Sequence, residues 1–273
     1  MTTHALLVIY AFVIGAAMGS FALVLADRMH AGKDWVRSRS QCDRCGHKLG
    51  PVDLIPIVSW TLQNGRCRYC KHVISVYYPL VELGLGAAFA ASVQWAPYDL
   101  EGLRIAQLVV WLVGLVLMTA LVVSDLKWYL LPSKLVYPLA GLASVHRVLA
   151  FAAEKQSFGS AVAGTAAALL IGSGLFWGLN TVSKGKWVGD GDYRFGLALA
   201  LFLGDPFMAW IALFMASVFG LLGAAPYILR TKAKSKMKLK IPFGPFLILG
   251  LYVTYLFGER IIDWYLKTFV YFS

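Results

Sequence analysis

The feature that most constrains this chain is a succession of long apolar runs. They cover roughly 5–26, 77–97, 103–124, 135–153, 158–180, 206–229 and 241–258, with a shorter one at 195–204. A hydrocarbon core needs about 20 apolar residues per helical crossing, and nearly all of these runs reach that length. Inside lipid a lone segment must satisfy its own backbone hydrogen bonds, so the runs are expected to be helices. Charged residues make up only 14% of the chain, against about 25% in a soluble domain. The expected fold is therefore all-α: a polytopic membrane helix bundle of about eight transmembrane helices. The first run lacks the basic start of a cleavable signal peptide, so it is read as a retained first helix.

The formal net charge is +11. A basic balance can mark a nucleic-acid binder. Here the charges lie between apolar runs, so membrane topology accounts for them and no nucleic acid is expected as a partner. The segment 27–76 holds nine Lys/Arg and is expected in the cytoplasm. The turns near 97–102 and 152–157 then fall outside, and the loops near 125–134 and 183–194 fall inside. The basic stretch 230–240 (RTKAKSKMKLK) stays inside only if 195–204 crosses, helped by local thinning of the bilayer. A re-entrant segment at 195–204 is the alternative. The basic stretch is also placed to meet anionic lipid headgroups. This gives eight crossings with both termini outside.

Three regions follow: 1–26 as a first transmembrane helix, 27–76 as a soluble insert, and 77–273 as the membrane body. All four cysteines lie in the insert, at Cys42, Cys45, Cys67 and Cys70, spaced C-x2-C-x21-C-x2-C. Two such knuckles bring four thiolates within tetrahedral reach of one ion, and the spacing is that of a small zinc ribbon. A reducing cytoplasm argues against two disulfides. The expectation is one structural zinc ion on the four cysteines, with Arg44, Lys48, Arg66, Arg68 and Lys71 helping to keep the thiols ionised. His47 and His72 follow the knuckles and read as surface residues.

Most carboxylates lie in the insert or on outer turns. Glu82, Asp125, Asp190 and Asp192 do not. Asp125 ends an apolar run, and Asp192 closes Gly189-Asp190-Gly191-Asp192 ahead of the next. The topology puts both at the cytoplasmic edge. An ionisable group at lipid depth is expensive, which marks both as functional candidates. Two close carboxylates share a proton. The ionised one can then take a proton from water while the neutral one polarises a scissile carbonyl. Gly189 and Gly191 are expected to supply backbone conformations closed to other residues and a close approach for a substrate strand. The structural alternatives are that Asp192 caps a helix starting at Tyr193 and that Asp125 is an interfacial residue beside Lys127. Glu82, one turn inside the second run, is expected to pair with a basic group or face a polar cavity.

These residues in this order resemble the bacterial type IV prepilin peptidases, the GxGD-type leader peptidase/N-methyltransferases. The resemblance covers almost the whole chain. It is carried by Gly19-Ser20-Phe21 with Arg28, both cysteine pairs, Asp53-Leu54-Ile55-Pro56, Tyr78 to Glu82, Asp125 with Leu131-Pro132, Gly189 to Asp192, and Ile241 to Phe246. It implies cleavage of the short basic leader from type IV prepilins or pseudopilins, with Asp125 and Asp192 as the catalytic pair. It also implies N-methylation of the new terminus with S-adenosylmethionine as donor, the insert belonging to that second activity. The implied location is the bacterial inner membrane. No glycine-rich donor-binding fingerprint is visible in the sequence. Near the motifs the sequence departs from the family pattern at Asp43, Ser133, Lys186 and Arg194.

Two other classes fit parts of the pattern. A transporter or channel would use Asp125, Asp192 and Glu82 to line an ion path, but would place its acids nearer mid-membrane and show related halves. A non-enzymatic zinc-bearing assembly factor would keep its function without either aspartate.

Overall fold

The computed structural model describes residues 3–34, 40–154, 157–230 and 241–270, with backbone alone at 227–230 and 270. Of the basic stretch 230–240, expected at the cytoplasmic surface, residues 231–240 lie outside the described residues. The described chain is all-helical apart from two isolated β-bridges, Gln41 with Lys48 and Arg66 with Val73.

Ten α-helices follow in order: α1 (Thr3–His30), α2 (Val58–Leu62), α3 (Tyr77–Gln94), α4 (Leu103–Trp128), α5 (Ser133–Ala153), α6 (Phe158–Leu169), α7 (Leu175–Ser183), α8 (Asp190–Leu203), α9 (Pro206–Arg230) and α10 (Gly244–Tyr265). A π-turn, Leu170–Gly174, joins α6 to α7 in one continuous run. Among the described residues six helices are long and apolar enough to cross a membrane: α1, α4, α5, the α6–α7 run, α9 and α10. Two of the eight expected crossings fall outside that set. Polar ends and Glu82 dilute the 18 residues of α3, and α8 has only 14 residues, or about 21 Å of helix.

The chain divides into two compact units. The first holds Met1–Ala96 with Leu115–Val123, the middle of α4; the second holds Pro97–Gly114 and Ser124–Ser273. In the first unit α1 packs along α3 through small residues. A Cβ on Gly15 would lie 2.7 Å from the Leu85 carbonyl, and one on Gly19 would lie 2.7 Å from Cα of Glu82. Two backbones in lipid approach this closely only where side chains are missing.

In the second unit α8 is the central element; Phe195, Ala198, Leu199 and Ala200 are fully buried. The π-turn wraps around it. Gly172 presents its carbonyl to Gly196 so closely that neither position has room for a Cβ, and Ser173 donates to the Tyr193 carbonyl at 2.8 Å. Away from the aspartates, at the start of α4 and the end of α5, lies a polar cluster. Arg104 pairs with Glu154 at 3.2 Å, and His146 contacts Gln107 at 3.2 Å and the Tyr255 hydroxyl at 2.9 Å.

Candidate active site and metal centre

In the second unit the end of α4 meets the starts of α5, α8 and α10. Asp125 lies in the last turn of α4 and is buried. Its Oδ2 accepts the backbone N–H of Gly244, the first residue of α10, at 2.9 Å. Helix α4 then stops in a tight left-handed turn. Tyr129 takes φ +55° and donates its N–H to the Asp125 carbonyl at 2.8 Å, while Ser124 donates to the Leu130 carbonyl at 2.8 Å. This turn brings Leu131 back against the site. Leu131 fills the space that a Cβ on either Gly244 or Gly191 would need, at 3.1 Å and 2.6 Å.

Asp192 lies in the first turn of α8, ahead of the apolar segment 195–204. The helix begins at Asp190, three residues before the Tyr193 start expected from a cap at Asp192. From inside that turn the carboxylate reaches back to accept the Gly189 N–H at 3.2 Å. Burial lifts this carboxyl to about 6; the Gly189 N–H pulls it down, and the charge of Asp125 raises it further. Leu131 touches both Gly244, whose N–H holds Asp125, and Gly191, the neighbour of Asp192, so the two aspartates share one junction of helix ends.

The expected role of the glycines needs correction. Among the described residues neither Gly189 nor Gly191 has a positive φ, and Gly189 sits at −74°. Gly189 is the extended N-cap of α8 and Gly191 lies inside the helix, conformations open to other residues as well. Gly191 is needed for space against Leu131, and a Cβ on Gly189 would meet only Asp192 at an ordinary 3.5 Å.

Two residues that sequence reasoning passed over hold the loop before α8. Asn180 donates from Nδ2 to the Val188 carbonyl at 2.7 Å and to the Asp190 carboxylate at 3.1 Å. Ser183 accepts the Trp187 N–H at 3.2 Å. An amide side chain near the end of an apolar run was the available signal. Ser133 and Arg194, two of the departures from the family pattern, touch each other: Arg194 Nη1 donates to Ser133 Oγ at 2.5 Å and ties α8 to α5.

In the first unit the insert is built from two matching knuckles. In one, Cys42 donates its N–H to the His47 carbonyl and accepts from the Gly46 N–H, at 3.0 and 2.9 Å; in the other, Cys67 does the same with His72 and Lys71, at 2.7 and 3.0 Å. The four sulfurs all lie within 4.8 Å of one another, and Cys42 and Cys70 are 3.8 Å apart. A tetrahedron with ~2.3 Å metal–sulfur bonds has edges of about 3.8 Å, so the donor set fits a metal ion. The thiols perturb one another. Backbone N–H groups of Cys45 and Arg44 draw Cys42 down to about 7. At Cys70 the His72 N–H acts the same way, but desolvation and the neighbouring thiols outweigh it and push Cys70 up to about 11. A bound cation removes that conflict. His47 and His72 are exposed as expected; His47 stacks on Tyr69 with centroids 3.6 Å apart.

Glu82 is buried, but its observed partners are neither a cation nor an open cavity. Its carboxylate accepts the Ser20 hydroxyl of α1 and the Ile57 N–H of the insert, the latter at 2.6 Å. Ile57 has φ +64°, strained for a β-branched residue, and caps α2. Glu82 thus fastens the insert to the α1–α3 pair. Asp53 does similar work within the insert, accepting from Gly50, Gln63 and Tyr69 at 3.1, 3.2 and 3.3 Å.

Residues 13–96 match the bacterial peptidase A24 N-terminal domain, and residues 112–225 match the type IV leader peptidase family. A prepilin leader peptidase/N-methyltransferase of Aeromonas hydrophila is 33% identical over 232 residues, covering 85% of this chain and 76% of that protein. This chain belongs to the type IV leader peptidase family. Proteins of the same name from Bacillus subtilis (29% over 260 residues, 94% of this chain and 96% of that protein) and Pseudomonas aeruginosa (31% over 234, 85% and 76%) are also similar. No solved structure matches the chain significantly. As a member of this family with six helices fit to cross a bilayer, the chain is a multi-pass membrane protein.

Proposed function

We propose that this protein removes the leader from type IV prepilins or pseudopilins and then N-methylates the new terminus, with Asp125 and Asp192 as the hydrolytic pair. The observation that carries the reading is the convergence of four helix ends, which brings two partly desolvated carboxylates together in a family whose members are named for these two activities. A transporter reading finds no support among the relatives.

The two carboxyl groups hold one proton between them. The ionised one takes a proton from a water molecule as its oxygen attacks the scissile carbonyl. The protonated one donates to the carbonyl oxygen as charge develops there. Collapse of the tetrahedral intermediate breaks the C–N bond, and the leaving amine takes a proton from the pair. The Gly244 N–H holds the Asp125 carboxylate and the Gly189 N–H holds that of Asp192, so each is oriented before substrate arrives.

Zinc is the metal proposed for the four cysteines, in a structural role, because four thiolates leave no open position for a substrate. S-adenosylmethionine is the proposed methyl donor, as the relatives' N-methyltransferase name implies, and the insert 27–76 serves that step. The amine must be neutral to attack the methyl carbon. The insert and the aspartates are assigned to the cytoplasmic side of a bacterial inner membrane, following the Lys/Arg bias of 27–76. There a basic leader meets the start of an apolar substrate helix.

The test is a cleavage assay on the purified protein in detergent with a prepilin from the same source, read by mass spectrometry with and without S-adenosylmethionine. The expected result is loss of the leader in both reactions and one added methyl only when the donor is present. An intact prepilin would overturn the peptidase assignment. Cleavage without methylation in the presence of donor would restrict the protein to the first activity.

A further inference from the structure

A second candidate site lies away from the aspartates, in the groove between α5 and α6. Its cavity is about 340 Å³ and is lined by Phe151, Phe158, Val162, Ala166 and Leu169, together with Arg147. Val162 and Phe158 are half or more exposed, so the groove opens sideways, toward the position of lipid. Arg147 belongs to a membrane-crossing helix and lies six residues before its end, or about 9 Å along the axis.

A guanidinium at that depth is expensive and normally has a counter-charge. Arg147 donates from Nε to Thr165 Oγ1 at 3.0 Å. The guanidinium also rests on Gly204, filling the place of a Cβ there; Gly204 caps the C-terminus of α8. That helix end supplies about half a negative charge. Among the described residues no carboxylate pairs with Arg147. The remaining positive charge faces a groove whose walls are apolar.

We propose that this groove binds an anionic phospholipid, its phosphate on the Arg147 guanidinium and an acyl chain along Val162, Ala166 and Leu169. Only a molecule with both a negative head and a long apolar tail satisfies the cation and the walls at once. The site is independent of the hydrolytic chemistry.

The test uses the full chain, delipidated in detergent, titrated with phosphatidylglycerol, phosphatidylcholine or inorganic phosphate, and read by native mass spectrometry and thermal shift. Wild type is expected to retain phosphatidylglycerol and to gain stability from it, and to do neither with phosphatidylcholine or phosphate alone. Arg147→Gln is expected to lose about tenfold in phosphatidylglycerol affinity, the scale of one charge-assisted contact. Ala166→Trp keeps the charge but fills the groove from its exposed side, and should lose lipid retention without loss of fold. Equal binding of the two lipids, equal stabilisation by phosphate, or full lipid retention in both variants would overturn the proposal. So would displacement of the lipid by saturating prepilin, which would give the groove to the substrate's helix.

Discussion

A Cβ on Gly244 would lie 2.6 Å from Oδ2 of Asp125, the oxygen that accepts the Gly244 N–H. The neighbour that must yield is a carboxylate at the end of a short side chain, so the fold survives and the alignment does not. Gly244→Ala is expected to lower prepilin cleavage at least about tenfold, with a melting temperature close to wild type in the same detergent. Wild-type cleavage by this variant would remove Gly244 from the site. Asp192 makes a second residue-level case. Its folded carboxyl is raised to about 6 from 3.8. Between those values the native state holds its proton more tightly than the unfolded chain does, so stability falls as pH rises through the window. Asp192→Asn keeps an oxygen for the Gly189 N–H and never ionises. It is expected to melt above wild type at pH 7.5, with the gap closing near pH 4. An unchanged melting temperature at both values would contradict the burial ascribed to Asp192.

At the scale of elements, the two cysteine knuckles share a backbone path but not a sequence. The residue after the second cysteine is Gly46 in one and Lys71 in the other, and both take positive φ, +67° and +58°. A left-handed conformation costs a non-glycine residue about 1 kcal/mol. Lys71→Gly is therefore expected to let the full chain hold its metal against roughly fivefold more chelator, read by metal release to a colorimetric dye. Equal or easier release would mean that the knuckle's strain is not coupled to metal holding. The knuckles were legible from cysteine spacing alone, because two C-x2-C turns have few other uses. The GxGD loop was legible as a motif but not as a geometry. Only the packing of Leu131 explains Gly191, and Leu131 arrives through a left-handed Tyr129 that no propensity announces. The π-turn at Leu170–Gly174 was equally hidden, since it answers the close approach of Gly172 to Gly196 and not a local signal. Glu82 stood out as a charge in an apolar run, yet its partners come from α1 and the insert, 62 and 25 residues away in sequence.

At the scale of the molecule, hydropathy located the long helices to within about four residues at each end, because the bilayer imposes both their length and their apolarity; the exception is the end of α10, which runs seven residues past the expected 258. The count of crossings was less secure. The α3 and α8 segments carry polar residues: Glu82 anchors the insert, and α8 holds Asp192 in its first turn and is short. The second unit accounts for the proposed hydrolysis with its own residues, since Asp125, Leu131, Gly191, Asp192 and Gly244 all belong to it. The most direct test is a side-by-side cleavage assay of wild type, Asp125→Asn and Asp192→Asn on one prepilin, with bound metal and melting temperature measured on the same samples to establish folding. The expected result is complete leader removal by wild type and an intact leader with either variant, both variants retaining metal. Wild-type cleavage by either folded variant would contradict the shared-proton pair and, with it, the proposed mechanism.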